Sequence, residues 1–158
     1  MRSQKGFTLL EIIITLTVIT LVLAISYPSL SRGTTALSLR ATSRDILSIL
    51  RYAREKAVSE QTSMRVVVDQ DNQSVMMIND VDNNTRTYRL PEKVKIHSVV
   101  VEGVEADSGI STMRFLPNGS SNALEILIKS QTGAFMKIVS DPITGVASIQ
   151  SVSGGDLL

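Results

Sequence analysis

Hydrophobic and polar positions divide the chain into three zones. The first is an apolar run from Phe7 to Tyr27, preceded by a short leader with Arg2 and Lys5 and closed by Pro28. From Leu9 to Ile25 every residue except Glu11 is Leu, Ile, Val, Ala or Thr. About 20 mostly apolar residues suffice for a helix to cross the hydrocarbon core of a bilayer. The threonines are compatible with this, because a Thr hydroxyl can bond back to a helix carbonyl. In the second zone, from Ala36 to about Gln61, the period becomes helical and amphipathic. Leu39, Ile46, Leu50, Ala53 and Ala57 share one face, flanked by Leu47 and Ile49, while Arg40, Arg44, Arg51, Arg54 and Glu55 lie mostly around the remainder. Between these zones Ser29–Thr35 is a weak point, since Pro28 removes a helix hydrogen bond and Gly33 lowers helix propensity.

The third zone reads as short strands. Met64–Asp69 and Val75–Asn79 flank a hairpin signal at Gln70–Ser74, and Asp80–Asn84 is the next turn. Thr85–Leu90, Val94–Val101, Ser111–Leu116, Leu124–Lys129, Phe135–Ser140 and Val146–Val152 are the further predicted strands. Glu102–Gly109 reads as a soft connection, and turns fall at Pro117-Asn118-Gly119, Gln131-Thr132-Gly133 and Asp141–Gly145. Strands at this spacing with short turns predict antiparallel sheet. One long helix followed by many strands predicts an α+β domain, with the stripe at Ile46, Leu50 and Ala53 packed across the sheet.

Glu11 is the anomaly of the first zone. A carboxylate inside a membrane helix costs roughly 2.5–3.5 kcal/mol on insertion scales, so it calls for a partner. No Lys, Arg or His lies between Gly6 and Arg32. Cleavage after Gly6 would create an α-amino group on Phe7, one turn before Glu11 at the i, i+4 spacing. That amine, or the same amine on a neighbouring copy of the helix, would neutralise the acid. Between helices such a pair would enforce axial register, because removing one partner of a buried pair is expensive. An ordinary secretory signal has a shorter apolar core followed by a small-residue cleavage site. A plain single-span anchor fits the length but leaves Glu11 without a role.

The order basic leader, Gly6, Phe7-Thr8-Leu9-Leu10-Glu11, apolar helix resembles the class III signal of type IV pilins and type II secretion pseudopilins. The resemblance implies that a prepilin peptidase cuts between Gly6 and Phe7 and N-methylates Phe7. It also implies that Glu11 serves entry of the subunit into a growing filament. Leu47–Val58 running into a strand, and Phe115-Leu116-Pro117-Asn118-Gly119 followed by two Gly-punctuated hairpin strands, resemble the GspH/FimT-type pseudopilin domain. The implied organisation is a leader at 1–6, a membrane helix segment at 7–28 and an amphipathic second half of the helix at 29–62. An antiparallel β domain follows at 63–152, with a disordered tail at 153–158. The implied fold is pilin-like α+β.

Composition narrows the chemistry. There is no Cys and one His, so no disulfide framework, thiol nucleophile or multi-histidine metal site is available. His97 reads as an exposed strand residue. Asp69-x-Asp71 and Asp80-x-Asp82-x-Asn84 look like fragments of calcium loops but have no Gly at the sixth position, and they read as hairpin turns. No Gly-x-Ser-x-Gly element or phosphate-binding Gly loop occurs. Enzymatic activity, a cofactor and a metal are therefore not expected. Loss of residues 1–6 removes Arg2 and Lys5 and turns the formal charge from +1 to −1, which gives no whole-protein attraction to nucleic acid. Ala147–Leu158 has no Lys or Arg, which argues against DNA binding there. The helix arginines read as a solvated face.

Two functions follow from the resemblance. One is a minor pseudopilin at or near the tip of a type II secretion pseudopilus, supporting export of folded proteins across the outer membrane. The other is a FimT-like minor type IV pilin acting in pilus initiation or DNA uptake. Either implies a bacterial inner-membrane, single-pass protein with its β domain in the periplasm. The implied partners are other pseudopilins or minor pilins, the prepilin peptidase, the inner-membrane assembly platform and secreted cargo.

Overall fold

The computed structural model describes residues 7–82, 84–106 and 108–152, the side chains of residues 25–33 excepted. The expected leader, the expected disordered tail and Gly6 lie outside these residues. The helix α1 runs from Leu9 to Ser59. The chain divides into two compact units, Met1–Thr34 and Thr35–Leu158.

In the first unit the helix has no polar face among its described side chains. Leu9, Leu10, Ile12, Ile13, Ile14, Leu16, Val18, Ile19, Leu21, Val22 and Leu23 are all exposed. A helix apolar all round has to be surrounded by something apolar. Its threonines satisfy themselves within the helix. The hydroxyls of Thr15, Thr17 and Thr20 donate to the carbonyls of Ile12, Ile13 and Leu16 at 2.9, 2.8 and 2.8 Å. Among the described residues no helix is long and apolar enough to cross a membrane. The described side chains end at Ala24, so the last part of the expected span, up to Tyr27 and Pro28, lies outside them.

Among the described residues the second unit joins the rest of α1 to nine strands: β1 Met64–Asp69, β2 Ser74–Asn79, β3 Thr85–Arg89, β4 Val94–Val101, β5 Val104–Ala106, β6 Ile110–Phe115, β7 Leu124–Ser130, β8 Phe135–Ser140 and β9 Ala147–Ser151. They form a four-stranded sheet in the order β3-β2-β1-β6 and a five-stranded sheet in the order β5-β4-β7-β8-β9. Every pairing is antiparallel. The helix stripe supplies one wall of the core, with Ile46, Leu50, Ala53 and Ala57 fully buried. Val66, Val68, Val75 and Phe115 come from the first sheet, and Leu124, Ile126, Ile128 and Ile138 from the second. Burying each large aliphatic side chain is worth about 1.5–3 kcal/mol, so this core holds helix and sheets together. The strand β7 shows the logic: Leu124, Ile126 and Ile128 point inward, while Glu125, Leu127 and Lys129 point out.

One local feature departs from the sequence reading. The connection Glu102–Gly109 contains β5, which pairs with β4 through Val101↔Val104. The two-residue turn between them is Glu102-Gly103, with φ of 52° and 81°. Both central residues thus take the left-handed conformation of a tight hairpin, which a glutamate rarely signals. His97 is exposed on β4 as the sequence reading expects; a register irregularity between Ile96 and Ser98 leaves it without a ladder partner, and its ring meets Phe135 edge-on at 5.4 Å.

Tyr88 on β3 ties its sheet to the helix. Its hydroxyl donates to Asp45 Oδ2 at 2.8 Å. Burial, then the hydrogen bond and charge of Asp45, push its pKa from 10.0 up to about 12. An unfolded tyrosine ionises near 10, so this stabilisation is complete below pH 10 and is lost as pH rises through about 12. The urea midpoint of the full chain in detergent should fall over that window, and Tyr88→Phe should flatten the fall. An unchanged slope in Tyr88→Phe would remove the contact from the account.

Candidate functional site

Of the candidate processing and assembly residues, Phe7 and Glu11 sit where α1 begins. Phe7 is the first described residue and is 78% exposed. Thr8 caps the helix: its Oγ1 accepts the Glu11 N–H at 3.2 Å, and its carbonyl accepts the N–H groups of Glu11 and Ile12 at 3.1 and 3.3 Å. Thr8-x-x-Glu11 is therefore the sequence of a capping box, legible in the chain as a Thr with Glu three residues on, ahead of an apolar run. It places Glu11 in the first helical turn, where the exposed N–H groups and helix dipole favour a carboxylate. Glu11 makes no ion pair among the described residues. Its chemistry is thus that of an exposed acid at a helix start, one turn after Phe7. Gly6 lies outside the described residues.

A second constellation lies within the second unit, where a helix arginine joins two turns. Arg54 Nε donates to Thr144 O at 2.7 Å and to Gly119 O at 3.3 Å. This corrects the reading of Arg54 as part of a solvated face. The turns also bond each other, Ser121 N donating to Pro142 O at 3.0 Å. Within Asp141–Gly145 the Asp141 carboxylate accepts the Thr144 N–H and hydroxyl, both at 2.8 Å, and the Ile143 N–H at 3.1 Å. Those bonds, the Thr144 N–H foremost, hold the Asp141 pKa below its usual value. Gly145 packs against the Gly119 carbonyl so closely that an added Cβ would collide with it. Sequence reasoning found both turns but not their contact. The available signal was two glycine turns following an arginine on the helix.

The remaining acidic candidates are structural. The Asp69 carboxylate accepts the Asn72 N–H and side-chain amide, both at 2.8 Å, and those bonds lower its pKa. Asp80 pairs with Arg65 and, at 3.5 Å, with Arg114. Among the described residues no group of three or more His, Cys, Asp or Glu is placed to hold a metal.

The model of the prokaryotic N-terminal methylation motif matches residues 1–27. The model of the type II transport protein GspH matches residues 42–142. The fold is similar to that of the minor pseudopilin EpsH from the type II secretion system of Vibrio cholerae. One EpsH structure has a TM-score of 0.60 at 11% identity, over 73% of this chain and 95% of that one. A second has a TM-score of 0.55 at 11% identity, over 75% and 98%. The type IV minor pilin FimU of Pseudomonas aeruginosa has a TM-score of 0.52 at 15% identity, over 77% and 93%. At these identities the likeness is one of fold: a pilin-like helix packed on antiparallel sheets. No curated protein matches the sequence. With the methylation motif ahead of it, and a family match over more than half of its length, the chain belongs to the GspH family of type II transport proteins.

Proposed function

We propose that the protein is a minor pseudopilin, a structural subunit at or near the tip of a type II secretion pseudopilus. The observation that carries this is the joining, on one chain, of the methylation motif at 1–27 to the GspH domain at 42–142. A prepilin peptidase cleaves between Gly6 and Phe7 and methylates the new terminus. The apolar face-free helix sits first in the inner membrane and then among sister helices in the filament core. Glu11 neutralises a neighbouring Phe7 amine and sets register on entry. The β domain stands in the periplasm and meets neighbouring subunits and the assembly platform. The action is packing, without a catalytic step, and the filament helps move folded cargo across the outer membrane.

Fold alone does not separate this reading from that of a FimT-like minor pilin, since EpsH and FimU both resemble the chain. Deleting the chain from its native cell should abolish secretion of folded periplasmic proteins and leave pili and DNA uptake intact. Intact secretion with lost piliation or DNA uptake would establish the minor-pilin role instead.

A further inference from the structure

The strand β3 lies at the open edge of the four-stranded sheet. Its hydrogen-bond phase follows from the ladder with β2. Leu90 N donates to Gln73 O and Asn79 N donates to Asn84 O, both in the β2–β3 register. Residues 84, 86, 88 and 90 therefore turn their backbone groups toward β2, while Thr87 and Arg89 turn theirs outward. No described residue bonds those outward groups. The opposite edge of the same sheet is bonded at Arg114. Beside β6, Asn122 N donates to Arg114 O, and Asn122 Oδ1 accepts the Arg114 N–H at 2.9 Å.

The bare edge also has a groove beside it. A cleft of about 370 Å³ separates β3 from α1, with Thr87 on its rim and Ile49 and Met77 among its lining. Two contacts between strand and helix hold it in shape. Tyr88 donates to Asp45, and the Arg86 guanidinium stacks over the Tyr52 ring, 5.1 Å from its centroid. The strand itself carries Arg86 and Arg89 and no acid, while the one acid lining the cleft, Asp45 on the helix, is engaged by the Tyr88 hydroxyl. Neither arginine has an ion-pair partner among the described residues. Two β3 edges would repel, so a symmetric second copy is disfavoured.

We propose that β3 is a docking edge for an extended acidic segment of a fellow filament subunit, which adds to the sheet as a fifth strand. This rests on the filament reading above. The incoming main chain bonds the N–H and C=O groups of Thr87 and Arg89. An apolar side chain enters the groove over Ile49 and Met77, and acidic side chains meet Arg86 and Arg89. Main-chain bonds supply the affinity in such strand addition, and alternate side chains supply the choice of partner.

The test uses Thr87→Pro in the full chain, reconstituted in nanodiscs with the filament subunits purified from the same cells. The Thr87 N–H faces away from β2, so proline removes the docking donor and leaves the ladder intact. Recruitment should fall about tenfold or more, the loss expected when main-chain bonds of strand addition are removed. The thermal midpoint should stay at the wild-type value, and Thr87→Ser should behave as wild type. In the wild-type complex the Thr87 and Arg89 amides should exchange with solvent about tenfold more slowly than in the chain alone. A wild-type complex whose Thr87 and Arg89 amides exchange as in the free chain overturns the proposal and spares the filament reading. Slowing in the chain alone as its concentration rises would mean a second copy and also overturns it. A wild-type chain that joins no filament subunit defeats the filament reading, and this proposal with it.

Discussion

Gly145→Ala should lower the unfolding free energy of the β domain by about 2–5 kcal/mol, the sum of a left-handed backbone penalty and an overpacking term. Gly145 has a φ of 64°, and an added Cβ would drive into the Gly119 carbonyl oxygen and against the Arg54 stem. That oxygen belongs to backbone held by its own turn, so it has no easy way to yield. Gly133→Ala is the control. Its φ is 84° but nothing lies within 4 Å of the added Cβ, so only the backbone cost of about 1–2 kcal/mol applies. Urea unfolding of both variants, followed by circular dichroism on the full chain in detergent, gives the difference. Equal losses in the two would mean that the Arg54-centred lock between the two turns contributes nothing.

Glu11→Val should nearly abolish entry into the filament and leave the β domain as stable as before. The substitution removes an acid that costs roughly 2.5–3.5 kcal/mol in the bilayer, so insertion of the isolated helix becomes easier. Recruitment moves in the opposite direction. The incoming Phe7 amine loses its counter-charge, and stranding one member of a buried pair costs about 3–5 kcal/mol. Glu11→Gln isolates the charge, because an amide is compatible with a capping box but carries no charge. Filament content measured by co-purification should be low in both variants. Normal incorporation of Glu11→Gln would reduce Glu11 to a helix cap, and normal incorporation of Glu11→Val would remove its assembly role altogether.

Much of this was legible in the residue pattern because it is periodic. The stripe Ile46, Leu50, Ala53 and Ala57 repeats with the helix and is wholly buried. The alternation Leu124, Ile126, Ile128 repeats with the strand and lies in the core. What stayed hidden depends on contacts distant in sequence or on single backbone conformations. Arg54 reads as one more surface arginine until Gly119 and Thr144, far along the chain, come beside it. The hairpin at Glu102-Gly103 carries no local signal, because its first central residue is a glutamate in a left-handed conformation. The bare edge of β3 follows from strand order, which alternation along one strand does not encode. At the helix start the reverse holds: Thr8-x-x-Glu11 is local and visible, and its bond to the Thr8 hydroxyl repeats what the residues imply.

Phe7 is expected to become the working terminus of a filament subunit. N-terminal sequencing together with the intact mass of the protein isolated from native membranes tests it most directly. The expected result is a chain that starts at Phe7, lacks residues 1–6 and carries one extra methyl group on its α-nitrogen. A chain that starts at Met1, with no methyl group and no association with other subunits, would contradict it.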